Sequence, residues 1–242
     1  MKLSRLALTP IFVLALLVAP SLHAQAVPGA PAANPATVPT LRNDWLLRHE
    51  GFNAIAKKGG VDLLFVGDSI TDFWAKAGNA IWAARYAPLK AANFGISGDK
   101  TEHVLWRLQN GNLDGIKPKV LVLMIGTNNA SRDSAPQIAE GVTAIVLEIR
   151  KHSPATKILL LAVFPRAEKP DHPLRAKLAA VNATIAQLDD AKSVHFLDIG
   201  QKFLQPDGVM SKEVMPDFLH PGAAGYQIWA EAMQPKLDEL LK

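Results

Sequence analysis

The apolar run Val61-Asp62-Leu63-Leu64-Phe65-Val66 ends on Gly67-Asp68-Ser69. In open α/β sheets ligands bind outside the carboxyl ends of the strands. A hydroxyl set there, just after a glycine that allows a tight turn, is placed to act as a nucleophile. Asp and Ser at this point also suit a plain helix cap, so the other polar loops decide between the two. They are Asn93-Phe94-Gly95-Ile96-Ser97-Gly98-Asp99, Gly126-Thr127-Asn128-Asn129 and Asp217-Phe218-Leu219-His220-Pro221-Gly222. Singly, each reads as turn or cap residues: Gly95 and Gly98 for turns, Asp99 for a cap, the Asn pair for left-handed backbone, His220 for a helix start. Together they hold the parts of an acyl-transfer site. Ser69 supplies a nucleophile and His220 a base. Asp217 can orient the imidazole, one turn of chain away. The Gly98 N–H and the Asn128 amide can meet a developing oxyanion.

Such a site needs a scaffold that brings distant loops together, and the hydrophobic pattern describes one. Val61 to Val66, Lys90 to Phe94, Val120 to Ile125, Lys157 to Val163 and Val194 to Leu197 read as five strands, mostly apolar on both faces. Helical spacing falls at Leu41 to Lys57, Asp99 to Gln109, Ala135 to His152, Leu174 to Leu188 and Pro221 to Leu240. Strands that alternate with helices predict a three-layer α/β/α sandwich with a five-stranded parallel sheet. A flavodoxin-like strand order, 2-1-3-4-5, is the expected arrangement.

The four blocks, in this order and spacing, resemble the GDSL esterases, also called SGNH hydrolases after their Ser, Gly, Asn and His. That resemblance implies an SGNH hydrolase fold. It makes Ser69 the nucleophile and Asp217 and His220 the rest of a triad. It makes the N–H groups of Ser69 and Gly98 and the amide of Asn128 the oxyanion hole. The flanks Gly98-Asp99-Lys100-Thr101-Glu102-His103-Val104-Leu105-Trp106-Arg107-Leu108, Ile116-Lys117-Pro118-Lys119-Val120 and Pro165-Arg166-Ala167-Glu168-Lys169-Pro170 are similar to the catalytic subunits of intracellular platelet-activating-factor acetylhydrolase. The likeness runs from about Trp45 to the C-terminus, and this branch implies a homodimer. Two positions depart from the pattern. Ile70 stands for Leu, an apolar exchange. Ser97 stands where the branch usually has Gly, which puts an extra hydroxyl beside the oxyanion loop.

The N-terminus carries a different message. Met1-Lys2-Leu3-Ser4-Arg5 is basic, Leu6 to Ala19 is apolar, and Ser21 to Ala26 ends in an A-x-A pattern. This is the form of a secretory signal peptide over 1–26, cleaved after Ala26 or Ala24, and too short in its apolar part for a membrane span of ~20 residues. Export to the periplasm or medium of a bacterium follows, with no lasting membrane insertion. The Pro- and Ala-rich stretch 27–40 reads as a mobile tether, leaving 41–242 as the hydrolase domain. The 242 residues contain no Cys, so disulfides and lipoprotein anchoring are excluded. The net charge of +4 falls when Lys2 and Arg5 leave with the leader, and no basic run remains, which argues against nucleic acid.

The expectation is an exported serine esterase that removes short acyl groups, acetyl above all, from oxygen esters through an acyl-enzyme. Its substrate is an acylated small molecule, lipid or saccharide. No metal or organic cofactor is required: Asp171-His172 in a Pro-flanked loop is two residues, too few for a metal site. Phe73-Trp74 and Arg166 to Glu168 are candidates to shape the alcohol side, and Arg166 could equally brace the fold. The competing expectation is a non-catalytic carbohydrate- or lipid-binding protein that kept the fold.

Overall fold

The computed structural model describes residues 33–242, and the leader expected over 1–26 and the first part of the tether lie outside the described residues. In chain order come α1 (Leu46–Lys58), β1 (Leu63–Gly67), α2 (Ser69–Asp72), α3 (Asn79–Ile81), β2 (Ala91–Gly95), α4 (Thr101–Arg107), β3 (Val120–Met124), α5 (Ala135–His152), β4 (Lys157–Leu161), α6 (Pro173–Ile185), β5 (Val194–Leu197) and α7 (Ala223–Leu241). All strand pairs are parallel, in the order β2-β1-β3-β4-β5. The three-layer sandwich implied by the strand-helix alternation is present, and the expected flavodoxin-like order matches.

Every residue of β1 and β3 is buried, as a strand covered on both faces requires. Period two divides the core. Leu64, Val66, Leu121, Leu123, Ile158 and Leu160 face a cluster with Phe52 of α1, Val104 and Leu105 of α4, Ile138 to Ile149 of α5 and Leu178, Val181 and Ile185 of α6. Leu63, Phe65, Val120, Val122, Leu159 and Leu161 face Trp74, Tyr86 and the Tyr226, Trp229, Met233 and Leu237 face of α7. Trp229 is fully buried, with ring centroids 4.9 Å from both Trp74 and Phe164. Trp74 is thus core, which removes it as a candidate for the alcohol side.

The sheet reverses its order between β1 and β3, and the loops leaving those two strands form the crevice where ligands bind in such folds. β1 must end closely packed. A Cβ at Gly67 would lie 2.4 Å from Met124 O and 2.2 Å from Thr71 Oγ1, so no side chain fits before Asp68 without moving β3 or α2.

Several boundaries differ from the sequence pattern. The helix expected from Leu41 begins at Leu46, after a 3-10 turn at Asn43–Trp45. The helix expected from Asp99 begins at Thr101, because Asp99 is held in ion pairs. The larger correction concerns the tether. From Ala33 the chain packs on the domain. Asn34 Nδ2 donates to Gln137 O (3.0 Å) and Glu140 Oε2 (2.8 Å), Thr101 Oγ1 donates to Ala36 O (2.8 Å), and Ala36 is fully buried. Composition marked these residues as a linker, but a Pro-rich segment whose only regular structure is the 3-10 turn Pro35–Thr37 can still satisfy polar groups against a helix. Among the described residues no helix is long and apolar enough to cross a membrane.

Candidate active site

Ser69 is the first residue of α2. Asp68 precedes it as N-cap, and its Oδ1 accepts the Ile70 N–H at 3.0 Å. The backbone N–H of Ser69 therefore belongs to the turn whose donors have no intrahelical acceptor. Asp68 is fully buried and its Oδ2 has no partner among the described residues. Burial pushes its carboxyl up to about 7. The nearby Asp99 adds to this, while the Ile70 N–H and Arg166 work against it.

His220 and Asp217 come from the loop before α7. Asp217 uses its two oxygens differently. Oδ1 accepts the N–H groups of His220 (2.7 Å) and Leu219 (3.1 Å), which closes the loop on itself. Oδ2 lies 2.6 Å from His220 Nδ1. A carboxylate there requires the proton on Nδ1, so Nε2 is left to accept from the Ser69 hydroxyl, 2.8 Å away. Partial burial would raise the Asp217 pKa, but these hydrogen bonds outweigh it and hold the carboxyl below its usual value. The imidazole also lies against Phe73, with ring centroids 5.0 Å apart. A hydroxyl, a correctly tautomerised imidazole and a carboxylate in line can generate an alkoxide and return its proton to a leaving group.

Phe218, between Asp217 and His220, has φ +59°, a left-handed conformation rare for such a side chain. Its carbonyl accepts the N–H of Ala167 (2.8 Å), which is left-handed as well. Arg175 of α6 donates through Nε to Arg166 O (2.7 Å) and through Nη2 to Ala167 O (2.8 Å), and Arg166 Nη1 donates to Thr127 O (3.2 Å). The stretch Arg166 to Glu168 thus braces the loops on either side of it.

Gly98 sits in the turn after β2, closed by the Asp99 N–H on Ile96 O at 3.1 Å. Its φ of +82° is what the third position of a type II turn demands, so glycine is needed here for conformation. Asn128 lies in the 3-10 turn after β3. Its Nδ2 donates to Asp99 O at 2.9 Å, which joins the two loops and leaves the second amide proton uncommitted among the described residues. Asn129 is quite different. It is fully buried, accepts the Thr101 N–H (3.0 Å) and donates to Asp133 Oδ2 (2.8 Å) and Glu102 Oε2 (3.0 Å).

The structure thus joins Ser69, His220 and Asp217 directly, and sets Gly98 beside Asn128. It also contains supporting contacts that the motifs did not mark. Asp72, at the end of α2, is buried and bonded to Arg48 and to Ser97 Oγ (2.7 Å). The extra hydroxyl at position 97 is therefore tied to the helix that carries Ser69. Asp99 is clamped between Arg42 Nη1 (3.0 Å) and Arg107 Nε (2.9 Å). Acidic and basic residues this far apart in the chain carry no local signal of pairing. His172 accepts the Leu174 N–H as the N-cap of α6, and no group of three or more metal-ligating side chains occurs among the described residues.

The sequence profile of the GDSL-like lipase/acylhydrolase family matches residues 65–228. The platelet-activating factor acetylhydrolase IB subunit alpha2 of Rattus norvegicus is 41% identical over 217 residues, covering 87% of this chain and 93% of the relative. The alpha1 subunit of the same animal is 38% identical over 214 residues, covering 87% and 90%. A GDSL-like lipase from Bacteroides thetaiotaomicron shares the fold with TM-score 0.65 at 20% identity, covering 80% of this chain and 97% of that one. An acetylxylan esterase from Geobacillus stearothermophilus does so with TM-score 0.60 at 22% identity, covering 74% and 94%. The profile match over most of the domain and the identity to the rat subunits show that the chain belongs to the GDSL-like lipase/acylhydrolase family and is a carboxylic ester hydrolase.

Proposed function

We propose that the protein is an exported serine esterase that removes acetyl and similarly short acyl groups from oxygen esters. The observation that carries the reading is the unbroken line Asp217–His220–Ser69, with contacts of 2.6 Å and 2.8 Å. In the proposed cycle Ser69 Oγ attacks the ester carbonyl carbon while His220 Nε2 takes its proton. The oxyanion that forms is held by the N–H groups of Ser69 and Gly98 and the amide of Asn128. Collapse breaks the bond to the alcohol, which leaves with the proton from His220. Water then attacks the acyl carbon while His220 Nε2 accepts its proton. Collapse of this second oxyanion breaks the bond to Ser69 Oγ, which takes the proton back from His220 as the free acid departs.

The acetyl preference is supported by the 41% identity to a protein named an acetylhydrolase. Export is supported by the basic, apolar and A-x-A segments of residues 1–26. Two copies of the chain would associate if the implied homodimer holds, which sedimentation of the purified protein would reveal. The retained Ser, His and Asp geometry speaks against a protein that only binds.

Hydrolysis of p-nitrophenyl esters from acetate to octanoate, with wild type beside Ser69→Ala, tests the chemistry. Serine-dependent rates that fall with acyl length are expected. Equal rates for the two proteins would refute the assignment of Ser69, and rates that rise toward octanoate would refute the short-acyl preference. Fractionation of a bacterium expressing the full chain tests export, with shortened protein expected outside the cytoplasm.

A further inference from the structure

The carbonyl of Ser97 and the N–H of Gly98 belong to one planar peptide group, and the two ends meet different partners. Arg42 Nη1 donates to Ser97 O at 3.0 Å. The Gly98 N–H, on the opposite side of that trans peptide, makes no hydrogen bond among the described residues. Arg42 is held in place by Asp99 Oδ1 (3.0 Å) and Asp44 Oδ2 (2.7 Å). It also lies directly over the turn. A Cβ at Gly98 would come 3.2 Å from Arg42 Nη1, so the absence of a side chain lets the guanidinium approach.

We infer that Arg42 is a positioning residue that orients and polarises the Gly98 N–H as an oxyanion donor. A cation on a carbonyl oxygen favours the peptide resonance form with negative oxygen and positive nitrogen. That makes the N–H on the far side a stronger donor, as hydrogen bonds in series strengthen one another. The benefit is larger for an oxyanion than for a neutral carbonyl, so it acts on the transition state. Arg42 precedes the part of the chain that the family profile matches, and it stands where sequence composition had put the start of a helix after a tether. The N-terminal segment therefore contributes to chemistry as well as to packing. This inference rests on the reading of Gly98 as an oxyanion donor.

The test compares wild type, Ser69→Ala, Arg42→Met and Arg42→Gln in the full domain. It measures kcat and KM for p-nitrophenyl acetate and the inhibition constant of a short trifluoromethyl ketone, which forms a tetrahedral oxyanion on an active serine. Arg42→Met leaves Asp99 paired with Arg107, so a buried carboxylate is not abandoned and folding is expected, checked by circular dichroism. The expected result is a fall in kcat of about 10- to 100-fold with KM within about 2-fold, and inhibitor binding weakened by the same factor as kcat/KM. Arg42→Gln keeps a neutral donor and should lose less, in the same pattern; it carries the test if Arg42→Met does not fold. Unchanged kcat and inhibitor affinity in a folded variant, or a rise in KM alone, would overturn the role of Arg42. Wild-type rates in Ser69→Ala would instead overturn the underlying reading of the site.

Discussion

Ser69 Oγ and His220 Nε2 stand 2.8 Å apart although 151 residues separate them in the chain. One lies at the carboxyl end of β1 and the other in the loop that enters α7. α7 packs Tyr226 and Trp229 into the core beneath β1, and Tyr226 donates its hydroxyl to Ile70 O at 2.6 Å. The helix after the histidine is thereby bonded to the short helix that begins with the serine. The contact is a consequence of the same packing that stabilises the sheet.

Replacing either partner should remove catalysis and leave the fold. Ser69→Ala and His220→Ala are each expected to lower kcat by about 10⁴-fold or more, since members of such a unit fail together. Their melting temperatures should stay within about 2 °C of wild type, as neither side chain fills the core. Parallel assays of ester hydrolysis and thermal melting check both halves of the statement.

The neighbouring Asn128 and Asn129 should separate function from stability. Asn128→Ala removes one amide donor and is expected to lower kcat by about 10²- to 10³-fold with little change in KM or melting temperature. Asn129→Ala strips donors from the buried carboxylates of Asp133 and Glu102. It should cost about 2–4 kcal/mol of stability, read from the urea midpoint. If the two variants behaved alike, the distinction drawn between them would be wrong.

These two residues also mark how far the sequence could be read. Block composition brought out Ser69, Gly98, Asn128, Asp217 and His220, because each sits in a polar or glycine-rich loop after an apolar element. The alternation of strands and helices with right-handed crossovers points to a parallel sheet but does not itself fix the strand order; 2-1-3-4-5 is an expectation that the sheet meets. Asn129 looked no different from Asn128, as only the three-dimensional neighbours show that one is saturated and the other is not. Arg42, Arg48, Asp72 and Arg107 were silent for the same reason: a charge pair across 57 positions, such as Arg42 with Asp99, has no period and no flanking signature. The Pro-rich stretch misled because composition does not show that a short 3-10 turn at Pro35–Thr37 seats Ala36 in the domain while its neighbours stay largely exposed.

Shortening the chain distinguishes a tether from a packed strap. A protein beginning at Ala33 should keep the activity and melting temperature of the full chain. One beginning at Leu41 loses the bonds of Asn34 to Gln137 and Glu140 and of Thr101 to Ala36. It is expected to melt about 3–10 °C lower. Differential scanning calorimetry of the two forms decides the matter, and equal melting temperatures would restore the linker interpretation of 33–40.

Asp68 gives the folded protein a characteristic response to pH. Burial raises its carboxyl to about 7 from 3.8, so between these values the native state holds a proton that the unfolded chain has released. Stability is then full below about pH 4 and declines as pH rises through 7, by on the order of 4 kcal/mol in all. Carboxyls held below their usual value act in the opposite sense and elsewhere on the scale. Asp217 and Glu102, whose hydrogen bonds prevail over the burial that would raise them, add stability above their unfolded values and surrender it only as the solution turns more acid. Asp68→Asn cannot release a proton, yet its amide oxygen can still accept the Ile70 N–H that Oδ1 accepts at 3.0 Å. Burial also lowers the His49 and His103 imidazoles below 6.5, which adds stability as pH rises over part of this range in both proteins. The urea midpoint of wild type should therefore fall relative to that of Asp68→Asn between about pH 4 and pH 8. A difference between the two proteins that stays constant across that interval would mean that Asp68 is ionised in the folded protein despite its burial.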